Sequence, residues 1–234
     1  MFARRITHVT TNTMHRRPTN QPNGRGLLRP GPRPLSAVAA AYRGGEDLER
    51  LAILTADALE AAAEAALSGN SAAARRVLRR SSARKAARAS AEARARPGLA
   101  LCPPRTGNLR AVASTLQLIA DLGHVGELVD ILARQTAAPS GPRRVPQVLR
   151  RDVMTVGGVG AHRIRRLAEG ISGPAMDPGY LRAGCELRGV VDHLTGLEGN
   201  RATARAADPV MTATVCSALA ECVLTASRHA ARAA

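Results

Sequence analysis

Apolar positions over residues 105–133 recur at alternating intervals of three and four, the heptad spacing of a helix that packs against other helices. This seam consists of Leu109, Val112, Leu116, Ile119, Gly123, Gly126, Asp130 and Ala133. Gly123 and Gly126 allow another backbone to come close. Glu127 and Asp130 lie one turn apart on nearly the same stripe. Because inward carboxylates are unfavourable unless they are paired or metal-bound, the seam predicts a polar site within a long helix over 105–137.

Five further helices follow from the same kind of pattern. A heptad stripe predicts the first helix, which begins after Gly44-Gly45 and runs to Gly69. Its inward positions are Leu48, Leu51, Thr55, Ala58, Ala62 and Ala65. The second helix covers about 71–96, with Ser71 as its cap and three prolines after it. The second half predicts helices at 145–171, at about 178–197, and from Pro209 to the C-terminus. The predicted fold class is all-α, a tandem repeat of two three-helix bundles.

The predicted boundaries divide the chain into four parts. Residues 1–41 are rich in proline and arginine and poor in apolar side chains, which predicts a disordered basic extension. This extension is similar to an organellar transit peptide, and a spurious upstream start is the other interpretation. The first bundle covers 43–138, a linker covers 139–144, and the second bundle covers 145–234.

Composition agrees with closely packed helices. Hydrophobic residues make up 45% of the 234 residues, mostly Ala, Leu and Val, and tryptophan is absent. The four cysteines form no Cys-x-x-Cys pair, so we interpret them as structural and expect a reducing, cytoplasmic compartment. No uninterrupted apolar stretch of about 18 residues is present, and we therefore expect no direct membrane insertion.

The formal charge of +16 is concentrated in blocks, one of which spans residues 75–96 and contains the single acid Glu92. Such a block attracts phosphate groups through its long-range field and through counterion release. Its candidate phosphate-binding or partner-binding residues are Arg75, Arg76, Arg79 and Arg80. The competing interpretation is a solvated helix face, which is the commoner role of charge runs.

The long helix contains Asn108-Leu109-Arg110, an apolar run at 116–120, and Leu-Gly-His-Val-Gly-Glu at 122–127. These three stretches resemble the PhoU family of regulators of high-affinity phosphate uptake. Asn108-Leu109-Arg110 is similar to the family's Asp-Leu-Arg, and residues 116–120 are similar to its apolar run. Residues 122–127, Leu-Gly-His-Val-Gly-Glu, are similar to its Leu-Glu-Arg-Ile-Gly-Asp. The acidic motif, two carboxylates four residues apart, would fall on Gly123 and Glu127, so the first acid is lost.

The resemblance implies a second copy of the motif near the C-terminus. Residues 222–230 are similar to the second acidic motif followed by His-Ala, with Leu224 and Arg228 in place of the acids and His229 retained. Leu224 lies 101 residues after Gly123, and Ile171-Ser172-Gly173 repeats Leu67-Ser68-Gly69 at an offset of 104. Two nearly equal offsets favour a duplicated unit of about a hundred residues.

The paired acids of PhoU-like proteins hold metal ions, which implies Glu127, Asp130 and His124 as the remnant metal candidates. These residues supply too few ligands from one turn, because structural sites normally need about four. Arg228 would repel a cation. We therefore predict no bound divalent metal and no other cofactor.

The function implied by the resemblance is non-enzymatic. The chain would bind the ATPase of a phosphate transporter and a sensor histidine kinase, would form a homodimer, and would damp phosphate-starvation signalling. No enzyme motif competes with this interpretation: residues 157–160, Gly-Gly-Val-Gly, lack the spacing of a phosphate-binding loop. Two alternatives stay open, a basic nucleic-acid-binding protein that uses residues 75–96 and a decayed paralogue without function.

Overall fold

A computed structural model describes residues 45–101, 106–139, 145–172, 178–199 and 207–233. Apart from short turns, these residues are helical, and they include no β-strand. The helices are α1 (Gly45–Ser68), α2 (Ser71–Arg79), α3 (Ser81–Leu101), α4 (Thr106–Ala137), α5 (Arg150–Thr155), α6 (Ala161–Ser172), α7 (Pro178–Gly199) and α8 (Ala207–Ala233). The all-α prediction is confirmed. The disordered extension and most of the linker lie outside the described residues, so both stay predictions.

The turn between α1 and α2 shows why the first helix ends where the sequence predicts. Gly69 has a φ of 67°, which is the left-handed conformation that glycine adopts at low cost. The N–H groups of Gly69 and Asn70 donate to the carbonyls of Ala66 and Ala65, at 3.3 and 2.9 Å. Asn70 then caps α2, since its side chain accepts a hydrogen bond from the Ala73 N–H at 3.0 Å. The predicted cap, Ser71, is instead the first helical residue.

The second predicted helix is two helices that meet at Arg80. The backbone of Arg80 has φ −87° and ψ 0°. It closes a tight turn in which the Arg80 N–H donates to the Val77 carbonyl at 3.1 Å. The predicted end near residue 96 is also wrong, because α3 continues through Pro97 to Leu101. Pro97 is exposed, so water can satisfy the carbonyl group that loses its helical donor.

The long seam of α4 is buried over most of its length. Val112, Ile119, Gly123 and Ala133 face the core as expected. Leu109 does not, since it lies in the first turn of α4 and is 47% exposed. The predicted helix over 105–137 is therefore confirmed, while its seam begins one turn later than the sequence indicates.

The segment before α6 changes helical type in its middle. Val156–Gly160 forms a π-helical turn between α5 and α6. A Cβ atom added to Gly157 would overlap the Ala63 Cβ of α1, and one added to Gly160 would lie 3.2 Å from Leu59 Cδ2. Glycine is needed at position 157 because the backbone of the π-helical turn lies directly against the Ala63 side chain of α1.

Both halves contribute to one continuous hydrophobic cluster. Side chains of α1 and α4 pack in it together with those of α6 and α8. The largest fully buried ones include Leu59, Leu122, Ile164, Leu194 and Leu219. Among the described residues the second predicted helix corresponds to α2 and α3, and the fourth to α5, the π-helical turn and α6. The division into two three-helix bundles and their superposition as repeats stay predictions.

Within the described residues, Val210–Ala230 of α8 is long and apolar enough to cross a membrane, with a mean hydropathy of 1.5. Of that window, 56% is buried inside the protein. A core helix of a soluble protein meets the same criterion, and α8 contributes such a face to the cluster.

Candidate functional site

The arginine block of residues 75–96 divides into arginines that bind carboxylates and a face that does not. The ion pairs of the block are Arg84–Asp130, Arg88–Glu92, Arg88–Glu127, Arg94–Asp47 and Arg96–Glu92. All four of these arginines belong to α3. The arginines in the C-terminal part of the block therefore form ion pairs within the protein.

The innermost pair joins Arg84 of α3 to Asp130 of α4, whose side chains are 5% and 7% exposed. Asp130 accepts one hydrogen bond from the Arg84 guanidinium and another from the Ser81 hydroxyl. Burial lowers the pKa of Arg84, and the charge and hydrogen bond of Asp130 oppose that shift. The inward position of Asp130 on the seam is therefore tolerated because a guanidinium is buried with it.

The second arginine lies over the first acidic-motif position. Arg88 Nε donates to Glu92 at 2.8 Å, and its Nη1 donates to Glu127 at 3.0 Å. The hydrogen bond to Glu92, followed by the attraction of both carboxylates, raises the pKa of Arg88. A Cβ added to Gly123 would lie only 2.5 Å from Arg88 Nη1 and 2.6 Å from Cζ. The guanidinium thus occupies the space that a side chain at 123 would fill.

The remnant metal candidates do not gather into one ligand set. Asp130 forms an ion pair with Arg84, and Glu127 forms one with Arg88. His124 Nδ1 lies 3.6 Å from Glu127 Oε2, and both of these side chains are more than half exposed. The described residues contain no group of three or more His, Cys, Asp or Glu side chains placed to hold a metal. The arrangement therefore does not fit the metal site that the resemblance implies, and the metal content itself stays a prediction.

The second motif lies on α8 and is divided between core and surface. Leu224 is 8% exposed and packs in the core, whereas Arg228 is exposed and donates to the Thr225 hydroxyl at 3.0 Å. The side chain of His229 is only 17% exposed. Its Nδ1 donates to Asp121 Oδ2 at 2.6 Å, so the retained histidine joins α8 to α4.

The first motif, Asn108-Leu109-Arg110, lies at the beginning of α4. Leu109 and Arg110 are exposed, and the side chain of Asn108 lies outside the described residues. Leu109 and Arg110 thus belong to the surface of the helix, where they are accessible to a partner.

Sequence reasoning missed a second buried carboxylate, Asp152 of α5. It is 5% exposed and accepts a hydrogen bond from His193 Nδ1 of α7 at 2.9 Å. The signal was present, since Asp152 continues the inward spacing of Leu149, Val153 and Val156. A stripe that includes an acid predicts a pairing partner on a neighbouring helix, and here that partner is His193.

The described cysteines carry no disulfide. Burial, and then the charge of Asp152, raises the pKa of Cys216 to about 12. Burial, and then the charges of Asp121 and Glu221, raises the pKa of Cys222 to about 11. Neutral thiols are poor nucleophiles, which agrees with the structural interpretation of these two; Cys185 is exposed, and Cys102 lies outside the described residues.

The remaining basic residues form what we call the cationic face: Arg75, Arg76, Arg79, Arg80 and Lys85. All five are exposed, and within the described part of the chain no carboxylate lies within ion-pair distance of them. Arg75 donates to the Ser71 hydroxyl at 3.3 Å. Arg76 and Arg80 also line a groove between α1 and α2, with Glu64 on its other side. The cationic face is therefore open to an anionic partner.

The helical arrangement is that of PhoU. The crystal structure of PhoU from Pseudomonas aeruginosa superposes with a TM-score of 0.63 over 83% of this chain and 95% of that chain, at 15% sequence identity. No family model matches the sequence, and no curated protein is significantly similar to it. The likeness at this identity defines a PhoU-like fold.

Proposed function

We propose that this protein is a PhoU-like regulator of phosphate uptake, a cytoplasmic and non-enzymatic adaptor. It binds the ATPase of a phosphate transporter and a sensor histidine kinase, and it damps phosphate-starvation signalling when phosphate is plentiful. One observation carries the proposal: the PhoU likeness extends over 95% of the PhoU chain and so includes both halves of the fold. The motif resemblance on α4 and α8 supports it from an independent direction.

The internal bonds described above favour an adaptor whose surface carries the function. Arg84, Asp130, Asp152 and His229 hold neighbouring helices together through hydrogen bonds. The exposed part of the first motif, Leu109 and Arg110, and the cationic face are what a partner can reach.

The proposal is tested by purification of the tagged, full-length chain from its own cells in high-phosphate medium. We expect the transporter ATPase and the sensor kinase to co-elute, and deletion of the gene to keep phosphate-starvation genes active in that medium. Normal repression of those genes in the deletion strain, with neither partner recovered, would refute the adaptor role.

Replacement of Arg75, Arg76, Arg79 and Arg80 by Gln is expected to change the free energy of unfolding by less than about 1 kcal/mol, because unpaired exposed charges contribute little. We expect association with the transporter ATPase to be retained as well. Chemical denaturation and co-purification measure the two quantities. Loss of association in a normally folded variant would assign the partner surface to the cationic face instead.

The second candidate function is nucleic-acid binding, which the lack of carboxylate partners on the cationic face favours. Phosphate contacts make affinity fall with salt at a log–log slope of about −0.9 per contact on duplex DNA. We expect only weak, sequence-independent binding to duplex DNA, with a slope that flattens in the four-Gln variant. Titration at several salt concentrations measures it, and tight, sequence-selective binding near physiological salt would replace the regulator proposal.

A further inference from the structure

We propose that the guanidinium of Arg88 is a built-in cation that takes the place of a divalent metal ion on the α3–α4 surface. The remaining carboxylate of the first acidic motif, Glu127, is then held by an arginine and needs no metal ion. The inference concerns Arg88, Gly123, Glu92 and Glu127, and it holds whether or not the protein regulates phosphate uptake.

The first step of the argument is steric. A side chain at position 123 would displace Arg88 from this placement, because a Cβ there would lie 2.5 Å from Nη1, 2.6 Å from Cζ and 2.7 Å from Cδ of Arg88. Real Cβ atoms do not approach other atoms so closely. The placement of the Arg88 guanidinium against α4 therefore depends on the lack of a side chain at position 123.

The second step is chemical. A hard divalent cation at this surface would be bound by carboxylate oxygens, and Arg88 binds the same kind of group, with Glu92 Oε1 at 2.8 Å and Glu127 Oε1 at 3.0 Å. A guanidinium is always charged and donates along fixed directions, so it can bridge two carboxylates as a metal does. Removal of Arg88 would leave these two carboxylates facing an open glycine position.

The third step concerns neighbouring charges. Arg84 is not available to replace Arg88, because it is buried with Asp130. Arg96 approaches Glu92 only to 3.6 Å, and His124 approaches Glu127 to the same distance. Loss of Arg88 therefore leaves excess negative charge at Glu92 and Glu127, with the His124 imidazole already beside Glu127 as a nitrogen ligand, and this arrangement favours an external cation.

The test compares the wild-type chain with Arg88→Ala in the presence of EDTA or a millimolar divalent cation, first Mn²⁺ and then Zn²⁺. We expect the wild-type Tm to be the same in both conditions. We expect the Tm of Arg88→Ala to be higher by about 2–4 °C with the metal than with EDTA. Equilibrium dialysis of the same samples measures the bound metal directly.

Three further variants make the result specific to this site. Arg75→Ala removes an exposed arginine without carboxylate contacts and should gain no metal response. Arg88→Ala with Glu127→Ala should lose the response, and Arg88→Ala with Gly123→Glu should strengthen it by adding a carboxylate one turn from Glu127. Arg88→Gln is measured in parallel, because it fills more of the space if Arg88→Ala fails to fold.

Two results would overturn the proposal. One is a wild-type chain that binds a stoichiometric metal ion and loses it on Glu127→Ala. The other is the lack of any metal response in both folded Arg88 variants, since removal of the guanidinium would then have opened no cation-binding site.

Discussion

Replacing Arg84 by Met is expected to lower the free energy of unfolding by about 3–5 kcal/mol, because it leaves the Asp130 carboxyl group buried without its partner. The two side chains are 5% and 7% exposed, so water cannot replace the guanidinium without opening the contact between α3 and α4. The Ser81 hydroxyl would be the only described donor left to that carboxylate. Urea denaturation followed by circular dichroism measures the loss.

Two variants separate the buried charge from other effects of this substitution. Lys85→Met removes an exposed neighbouring charge and should change the free energy of unfolding by less than about 0.5 kcal/mol. Arg84→Met with Asp130→Leu removes both charges and should recover most of the loss, since apolar groups can replace a buried pair. If Arg84→Met is as stable as Lys85→Met, the pair is not the contact that holds α3 on α4.

Gly157→Ala is expected to lower the free energy of unfolding by about 1–3 kcal/mol, the usual cost of overpacking a core. The same substitution at an exposed helical glycine stabilises by up to about 1 kcal/mol, so the sign itself is informative. At position 157 the new Cβ would overlap the Ala63 Cβ, and α1 would have to move away from the π-helical turn. Thermal unfolding should show a Tm lower by about 2–4 °C per kcal/mol.

The adjacent glycine provides the control. A Cβ at Gly158 would meet nothing within 4 Å, and Gly158→Ala should therefore raise the Tm or leave it unchanged. Gly157→Ala combined with Ala63→Gly should regain part of the lost stability, because the two changes restore the space. Equal effects at positions 157 and 158 would contradict the close contact between α1 and the π-helical turn.

The helices and the inward seam of α4 could be predicted from the sequence, because heptad spacing reports directly which side of a helix is buried. Leu122, Val125 and Val129 extend the buried side that the seam marks. The inward position of Arg84 was also readable, since Ala87, Ala91 and Ala95 share its stripe at helical spacing. The competing interpretation of the block, a solvated helix face, rests on its composition, and composition does not report which side of the helix an arginine occupies.

Other features could not be predicted, because they depend on which helices meet. The sequence gives no sign that His229 reaches Asp121, which lies 108 residues earlier. The break at Arg80 also has no glycine or proline to mark it. Likewise, Gly123 reads as a site for close backbone approach, and only the packing of α3 on α4 shows that a side chain, Arg88, fills the space.

The hydrophobic cluster that runs through both halves has a consequence for how this protein loses its structure and how it can evolve. Separating α4 from α8 would expose apolar surface on both helices and would break the bond between His229 and Asp121. Neither half can therefore open alone at low cost, so the two form one cooperative unit. A substitution on the inner side of one half must be accommodated by the other half, so the sequences of the two halves cannot change independently of each other.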